Sequence, residues 1–228
     1  MSRDRARRLI LAGRVLVDDT VVDKAGTKVA LEAAVRLRGR DHPYVGRGGL
    51  KMEGALQDFE IDPAGFVCLD VGASTGGFTD CLLQHGARRV VAVDVGTNQL
   101  AYKLRMDPRV DVHEQTDIRS VTRKVLGEPV DLAVVDASFI SLRLLLPPLR
   151  GLVDPGARIL ALVKPQFEVG KDQVGRGGVV RDDALRAQAV EDVTGIAVSL
   201  GFSVAGTADS RVAGAKKGNR EIFALFIG

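Results

Sequence analysis

An apolar run that ends in an acid, breaks into glycines and resumes as a helical pattern constrains this chain more than any other segment: Cys68-Leu-Asp-Val-Gly-Ala-Ser-Thr-Gly-Gly-Phe-Thr-Asp80. Such a layout is that of a parallel strand turning sharply into a helix beside a small ligand. Gly72, Gly76 and Gly77 carry no Cβ to keep the backbone away from that ligand, and Asp70 and Ser74 stand beside them. A phosphate-cradling loop would follow Gly72-x-x-x-x-Gly77 with Lys, but Phe78 is there. A dinucleotide fingerprint needs glycine two residues after the first, where Ser74 stands. S-adenosylmethionine has no phosphate and suits an acid before the glycines with a second acid after the next strand. Asp94 closes Arg89-Val-Val-Ala-Val-Asp94, 22 positions after Gly72 (94 − 72), close to the roughly 20 expected of a ribose-binding carboxylate. Asp70 is expected to order the turn or reach the methionine end, and Asp117 to lie near the adenine.

From Val67 onward strand and helix patterns alternate. Strands are expected over 67–71, 89–94, 110–114, 130–135 and 157–163, and near 202–208 and 221–227. Helices are expected over 76–85, 98–104, 118–126, 139–150 and 182–200. Near-continuous apolar strands such as Ile159-Leu-Ala-Leu-Val163 predict an α/β fold, a doubly wound Rossmann-like sheet covered on both faces and closed by an antiparallel pair. Its ligand would lie outside the carboxyl ends of the strands. Asp136 and Lys164 are each the first polar residue after a buried strand on that edge. An N-cap and a strand-ending charge are the plain alternatives, but the two together point to function.

The first 50 residues hold 11 Lys/Arg against 6 Asp/Glu, a balance of +5 in a chain whose total is +3. A basic head on a near-neutral body suits nucleic acid, although a solvated basic face gives the same count. Residues 3–13 read as a basic amphipathic helix carrying Arg3, Arg5, Arg7 and Arg8, followed by Arg14, short strands at 15–17 and 21–22, and another within 34–38. The division expected is a small α+β module over 1–40, a Gly- and Pro-rich linker over 41–50, and the main domain over 51–228. No apolar run approaches the roughly 18 residues of a membrane span. The head of the chain lacks a signal-peptide core, so a cytoplasmic protein is expected. Cys68 and Cys81 read as buried thiols, and His42, His85 and His113 have no metal-ligand spacing, so no metal site is expected.

Arg7-Arg-Leu-Ile-Leu-Ala-Gly-Arg-Val-Leu-Val17 resembles the RNA-binding module named after the fourth small-subunit ribosomal protein. That module has a further helix before this point, so the resemblance is to a partial module. Gly46-Arg-Gly-Gly-Leu-Lys51, Leu69–Asp80, Val134-Val-Asp-Ala-Ser-Phe-Ile-Ser141, Leu162-Val-Lys-Pro-Gln-Phe-Glu168 and Gly218-Asn-Arg-Glu221 together resemble the TlyA family. Its members, often named haemolysins, resemble FtsJ-like ribosomal RNA 2′-O-methyltransferases. The resemblance implies methylation of a cytidine ribose 2′-hydroxyl in ribosomal RNA or ribosomal subunits, with a Lys-Asp-Lys-Glu tetrad. Here the tetrad would be Lys51, Asp136, Lys164 and Glu221; Lys51 and Glu221 enter through the resemblance alone.

A ribose hydroxyl must lose its proton as it attacks the sulfonium methyl in line, and alignment supplies much of the acceleration. A lysine takes that proton only if its pKa falls from about 10.4 toward 7–8. A second ammonium nearby favours that fall, and the carboxylates oppose it while orienting the amines. Lys164 is expected as proton acceptor or hydroxyl-orienting group with Asp136 beside it, while which lysine is the base stays open. Amine methylation would call for an Asn/Asp-Pro-Pro-aromatic loop where this chain has Asp136-Ala-Ser-Phe139, and pyrimidine C5 methylation for a Cys nucleophile outside the core. The segment 165–181 carries Lys171, Arg176 and Arg181 among glycines and reads as a basic lid or an ordinary exposed loop. Arg3, Arg7, Arg8, Arg14, Arg47, Lys171 and Arg176 are the expected RNA contacts. Two further readings are a non-catalytic RNA-binding or ribosome-assembly factor on the same fold, and a membrane-lytic protein. The second lacks an insertion segment.

Overall fold

In the computed structural model, residues 3–38, 42–214 and 219–228 are described, without the side chain of Arg5. Residues 39 and 40 of the expected module, residue 41 of the expected linker, and Gly218 of the last motif lie outside them. The chain divides into two compact units, Met1–Pro43 and Tyr44–Gly228.

In the first unit α1 (Arg3–Leu11) precedes β1 (Val15–Val17), β2 (Thr20–Val22) and β3 (Val35–Leu37), paired in the order β2-β1-β3. The helix ends in a Schellman arrangement: Gly13 N donates to Ile10 O at 2.9 Å and Arg14 N to Leu9 O at 2.9 Å. Asp18 and Asp19 turn the β1–β2 hairpin with φ of 46° and 66°, the left-handed pair that a two-residue type I′ loop requires. The Asp18 carboxylate accepts from Ala34 N at 2.9 Å and Asp19 pairs with Arg36 of β3, so the turn also fixes the third strand.

The second unit starts earlier than the expected linker allows. Tyr44 and Val45 are buried, and Val45 N donates to the buried Asp80 carboxylate at 2.7 Å. The helix α2 (Gly48–Asp58) begins inside the Gly46–Gly49 run, so that run is part of the domain. Its glycines serve a close crossing. A Cβ at Gly77, at the start of α3 (Gly77–Gln84), would lie 2.9 Å from Gly49 N, and one at Gly49 would lie 2.2 Å from the Tyr44 ring.

The seven-stranded sheet contains β4 (Val67–Val71), β5 (Arg89–Val93), β6 (Val110–His113), β7 (Leu132–Val135), β8 (Arg158–Val163), β9 (Ser203–Asp209) and β10 (Ile222–Ile227). Their order is β6-β5-β4-β7-β8-β10-β9, parallel from β6 to β8, with β10 antiparallel to both its neighbours. Alternate residues feed two cores: Leu69, Ala133, Ile159 and Phe226 on one face, Cys68, Val134, Leu160 and Phe223 on the other. The first core includes Leu146 of α6 (Leu142–Leu152) and Val193 of α8 (Asp183–Ser199); the second includes Met52 of α2 and Leu82 of α3. Each such large side chain contributes roughly 1.5–3 kcal/mol by leaving water. Cys68 and Cys81 are buried free thiols, pushed up out of the usual thiol range by that burial, Cys81 to about 12.

Three helices are shorter than their patterns. Over 98–104, Glu114 accepts the backbone N–H groups of Asn98, Gln99 and Leu100, and Asn98 has φ 51°, so only α4 (Tyr102–Arg105) is helical. The expected 118–126 helix breaks at the extended, buried Val121 into a turn at Ile118–Ser120 and α5 (Arg123–Leu126). The helix expected from 139 starts at Leu142, because Phe139 has φ 66° and Ser141 accepts from Arg143 N as its cap. A short α7 (Pro165–Glu168) follows β8.

Candidate active site

The order of strands reverses between β4 and β7, and at that switch point their carboxyl ends open a cleft of about 390 Å³, within the range of small-ligand sites. Gly72, Ser74, Asp94, Asp117 and Asp136 line it together with Val95, Ile118 and Phe139. Asp94 holds the two turns beside it, accepting from Ser74 N at 2.8 Å and Gly96 N at 2.7 Å. Each carboxylate oxygen keeps a further lone pair for a ligand hydroxyl. Asp117 lines the cleft and also caps the Ile118–Ser120 turn, accepting from Arg119 N at 2.9 Å; the Arg119 guanidinium on it holds its carboxyl below the usual range. Gly72 has φ 85°, and a Cβ there would lie 2.8 Å from the Asp136 carbonyl oxygen, so its lack of a side chain lets β4 and β7 meet at the cleft floor.

Three residues expected at the cofactor do not line this cleft. Asp70 is fully buried beneath the turn, where it accepts from Thr79 N at 2.9 Å and Thr79 Oγ1 at 2.6 Å and fastens the loop to α3. Burial pushes its carboxyl up to about 7. Gly76 gives way to packing, since a Cβ there would lie 2.2 Å from Leu104 of α4, and Gly77 serves the crossing with α2. The glycines that suggested a ligand therefore largely serve neighbouring helices.

The four tetrad residues come from four elements and form two ion pairs. Lys51 of α2 reaches Glu221, just before β10, at 2.6 Å, and both are buried. Lys164, at the end of β8, reaches Asp136, at the end of β7, at 2.6 Å, and donates to Ser138 Oγ at 2.9 Å. The ladder brings the pairs to one strand edge: Ile222 faces Val163 as the last pair of β10 and β8, and Glu221 and Lys164 each stand one residue beyond it. Asp136 also lines the cleft, so the polar cluster adjoins the ligand space.

Other residues shape this edge without having been singled out for a role in the sequence. The buried Glu168 accepts from Leu142 N at 2.9 Å and Ser141 Oγ at 2.5 Å, tying α7 to the start of α6; burial raises its carboxyl. Glu114 organises the 98–100 turn, whose N–H groups and Arg105 hold its carboxyl down to about 2. Phe139 is 92 % exposed at the cleft, with its ring centroid 5.3 Å from that of Phe167. Ser138 and Phe139 follow Asp136 directly, a local signal; Glu114 lies in no motif.

Of the expected RNA contacts, Arg3, Arg7 and Arg8 are exposed on α1, and Lys171 and Arg176 are exposed in the segment after β8. Arg14 Nε donates to Arg38 O at 2.5 Å and Arg47 Nη2 to Ala213 O at 3.1 Å, so both also brace the backbone. Among the described residues no group of His, Cys, Asp and Glu could hold a metal ion, and no helix is long and apolar enough to cross a membrane.

A mostly parallel sheet with a ligand cleft at its switch point and an acid ending the second strand of that sheet defines a Rossmann-like methyltransferase fold. Residues 44–227 match the FtsJ-like methyltransferase model and residues 2–35 the S4 domain model. The chain is 49% identical to the 16S/23S rRNA (cytidine-2′-O)-methyltransferase TlyA of Mycobacterium tuberculosis, over 97% of this chain and 83% of that protein. It is 38% identical to Hemolysin A of Brachyspira hyodysenteriae, over 99% of this chain and 94% of that protein. A solved hemolysin structure from Streptococcus thermophilus superposes with a TM-score of 0.80 at 43% identity, covering 99% of this chain and 82% of that one. The chain belongs to the FtsJ-like methyltransferase family, and within it to the TlyA proteins.

Proposed function

We propose that this protein transfers a methyl group from S-adenosylmethionine to the 2′-hydroxyl of a cytidine ribose in ribosomal RNA. The observation that carries the reading is the joining of the Lys51–Glu221 and Lys164–Asp136 pairs on the strand edge that also walls the cleft.

The cleft fits that cofactor on the chemistry of its donors. Among the described residues lining it there are three carboxylates and no lysine or arginine, which suits a cationic nucleoside and not a polyphosphate. Asp94 would take the ribose hydroxyls of the cofactor, Asp117 would lie at the adenine end, and Val95 and Ile118 would supply apolar contact. When bound, the cofactor supplies an electrophilic methyl on a positively charged sulfur.

The protein's part is to bind, align and deprotonate. Lys164 is held from two sides, by Asp136 and by Ser138 Oγ, so its ammonium has a fixed direction at the cleft edge. It would orient the acceptor hydroxyl or receive its proton, with Asp136 balancing the charge. Lys51 and Glu221 would hold the second, buried pair against the same strand ends, so that the acceptor enters a site whose polar groups are already in place. The exposed ring of Phe139 offers a stacking surface for the acceptor base at the cleft mouth. Basic residues on α1 and in the 165–181 segment would take phosphates, which predicts binding weakened steeply by salt.

The test is transfer of tritiated methyl from S-adenosylmethionine to purified ribosomal subunits by the wild-type chain and by Lys164→Ala. Label retained on ribose with the wild type and absent with the variant is expected. Equal labelling by both would remove Lys164 from the chemistry, and no label with either would favour a non-catalytic RNA-binding role.

A further inference from the structure

Asn219, two residues before Glu221, is a polar side chain only 4% exposed that the chemistry above does not use. Its amide is satisfied at both ends by one short piece of backbone: Oδ1 accepts from Val180 N at 3.2 Å and Nδ2 donates to Gly178 O at 2.9 Å. A backbone N–H only donates and a carbonyl only accepts, so this pair of contacts needs a side chain that does both, as the amide does and a carboxylate does not. The piece so gripped lies between Arg176 and Arg181, both exposed, and is pinched by the Gly175–Val179 bridge.

The other end of Asn219 leads to the tetrad. Its carbonyl accepts from Gly214 N at 3.4 Å, and Glu221 follows two residues later. A Cβ at Gly214 would lie 2.7 Å from Glu221 Oε1, so this backbone lies against the carboxylate that holds Lys51. The same backbone is fastened to α2 and its approach: Arg211 pairs with Asp58 and reaches Gln57 at 2.6 Å, and Arg47 reaches Ala213 O. Asn219 is thus where the basic segment after β8 is joined to the segment that carries Glu221 into β10.

We infer that Asn219 is a positioning residue that seats the 175–181 segment on the strand end carrying Glu221, so that phosphates held by Arg176 and Arg181 bring the acceptor ribose to the tetrad. The inference rests on the RNA methyltransferase reading, whose own failure would show as absence of transfer by the wild type. The cleft that takes the cofactor is walled by other strands, so its affinity should not depend on this latch.

The experiment compares the full chain with Asn219→Ala, Asn219→Asp, the double variant Arg176→Ala/Arg181→Ala, and Asn219→Ala combined with that double variant. Measured are KM and kcat on purified ribosomal subunits, the salt dependence of binding to them, and adenosylmethionine affinity by calorimetry. Asn219→Ala is expected to raise KM for the subunits roughly tenfold, as loss of phosphate binding shared by ground and transition states does. The slope of log affinity against log salt should fall by up to about 1.4–1.8, two phosphate contacts' worth. Asn219→Asp keeps the bond from Val180 N but sets a carboxylate oxygen against Gly178 O, so it should be at least as impaired as Asn219→Ala. In the Asn219→Ala background the two arginine substitutions should add less than about twofold, since the latch and the arginines act as one unit. Adenosylmethionine affinity should stay within about twofold of wild type. Additive effects, an unchanged salt slope, or a parallel loss of adenosylmethionine affinity would each overturn the inference.

Discussion

Lys51 and Glu221, 170 positions apart, meet at 2.6 Å with both side chains buried, and their contact ties α2 to the last strand of the sheet. Neither charge has an exposed alternative, so removing one partner strands the other. Lys51→Met or Glu221→Leu alone should cost about 3–5 kcal/mol in denaturant unfolding, whereas the double variant should recover most of it. Methyl transfer should be lost in all three, which separates the stability effect from the functional one. A double variant as unstable as the singles would show that the pair is not a self-contained unit.

Asp94 holds the Ser74 and Gly96 turns through its two oxygens and walls the cleft. Asp94→Asn should weaken adenosylmethionine binding in calorimetry by at least about tenfold, the worth of one charge-assisted hydrogen bond. Affinity for ribosomal subunits should be unchanged. An unaltered cofactor affinity would move the ribose site elsewhere.

Phe139 combines near-complete exposure with φ 66°, a conformation that costs a side-chain-bearing residue about 1–2 kcal/mol. Strain in an exposed aromatic at a cleft suggests that function keeps it there. Phe139→Gly should leave the melting temperature unchanged or higher while lowering kcat/KM on ribosomal subunits. A fall in stability with unchanged turnover would contradict this.

Burial lifts the Asp70 carboxyl to about 7, so between its ordinary value and pH 7 the folded chain holds a proton that the unfolded chain has released. In that window the native state binds more protons, and stability falls as pH rises, levelling off above about 7. Asp70→Asn keeps an acceptor for Thr79 and removes the titration. Relative to wild type, the variant should gain roughly 2–4 kcal/mol between pH 4 and pH 8. Measuring both chains across that range isolates Asp70 from Glu114, held down to about 2, whose stabilising effect is lost as pH falls through its own low range. A flat difference would show that Asp70 is not protonated in the fold.

The parallel strands were legible because each is an apolar run closed by a polar residue, and the same pattern marked Asp94, Asp136 and Lys164 at the ligand edge. Lys51 and Glu221 carry no local signal, since their partnership spans most of the chain, and only the family motifs pointed to them. The helix expected over 98–104 was misleading because Glu114, a residue of another segment, captures the N–H groups that would have opened it. Gly76 and Gly77 suggested a ligand through the same property, the lack of a Cβ, that brings Leu104 and Gly49 close. A sequence marks where a backbone needs room and leaves open what fills it.

The most direct measurement is a mass-spectrometric map of ribose methylation in ribosomal RNA incubated with S-adenosylmethionine and either the wild-type chain or Lys164→Met. Added 2′-O-methylation on cytidine with the wild type, and none with the variant while its cofactor affinity is kept, is the result expected. Methylation on a base instead of the ribose, or the same ribose mark from both chains, would contradict the account of two ion pairs aligned on one sugar oxygen.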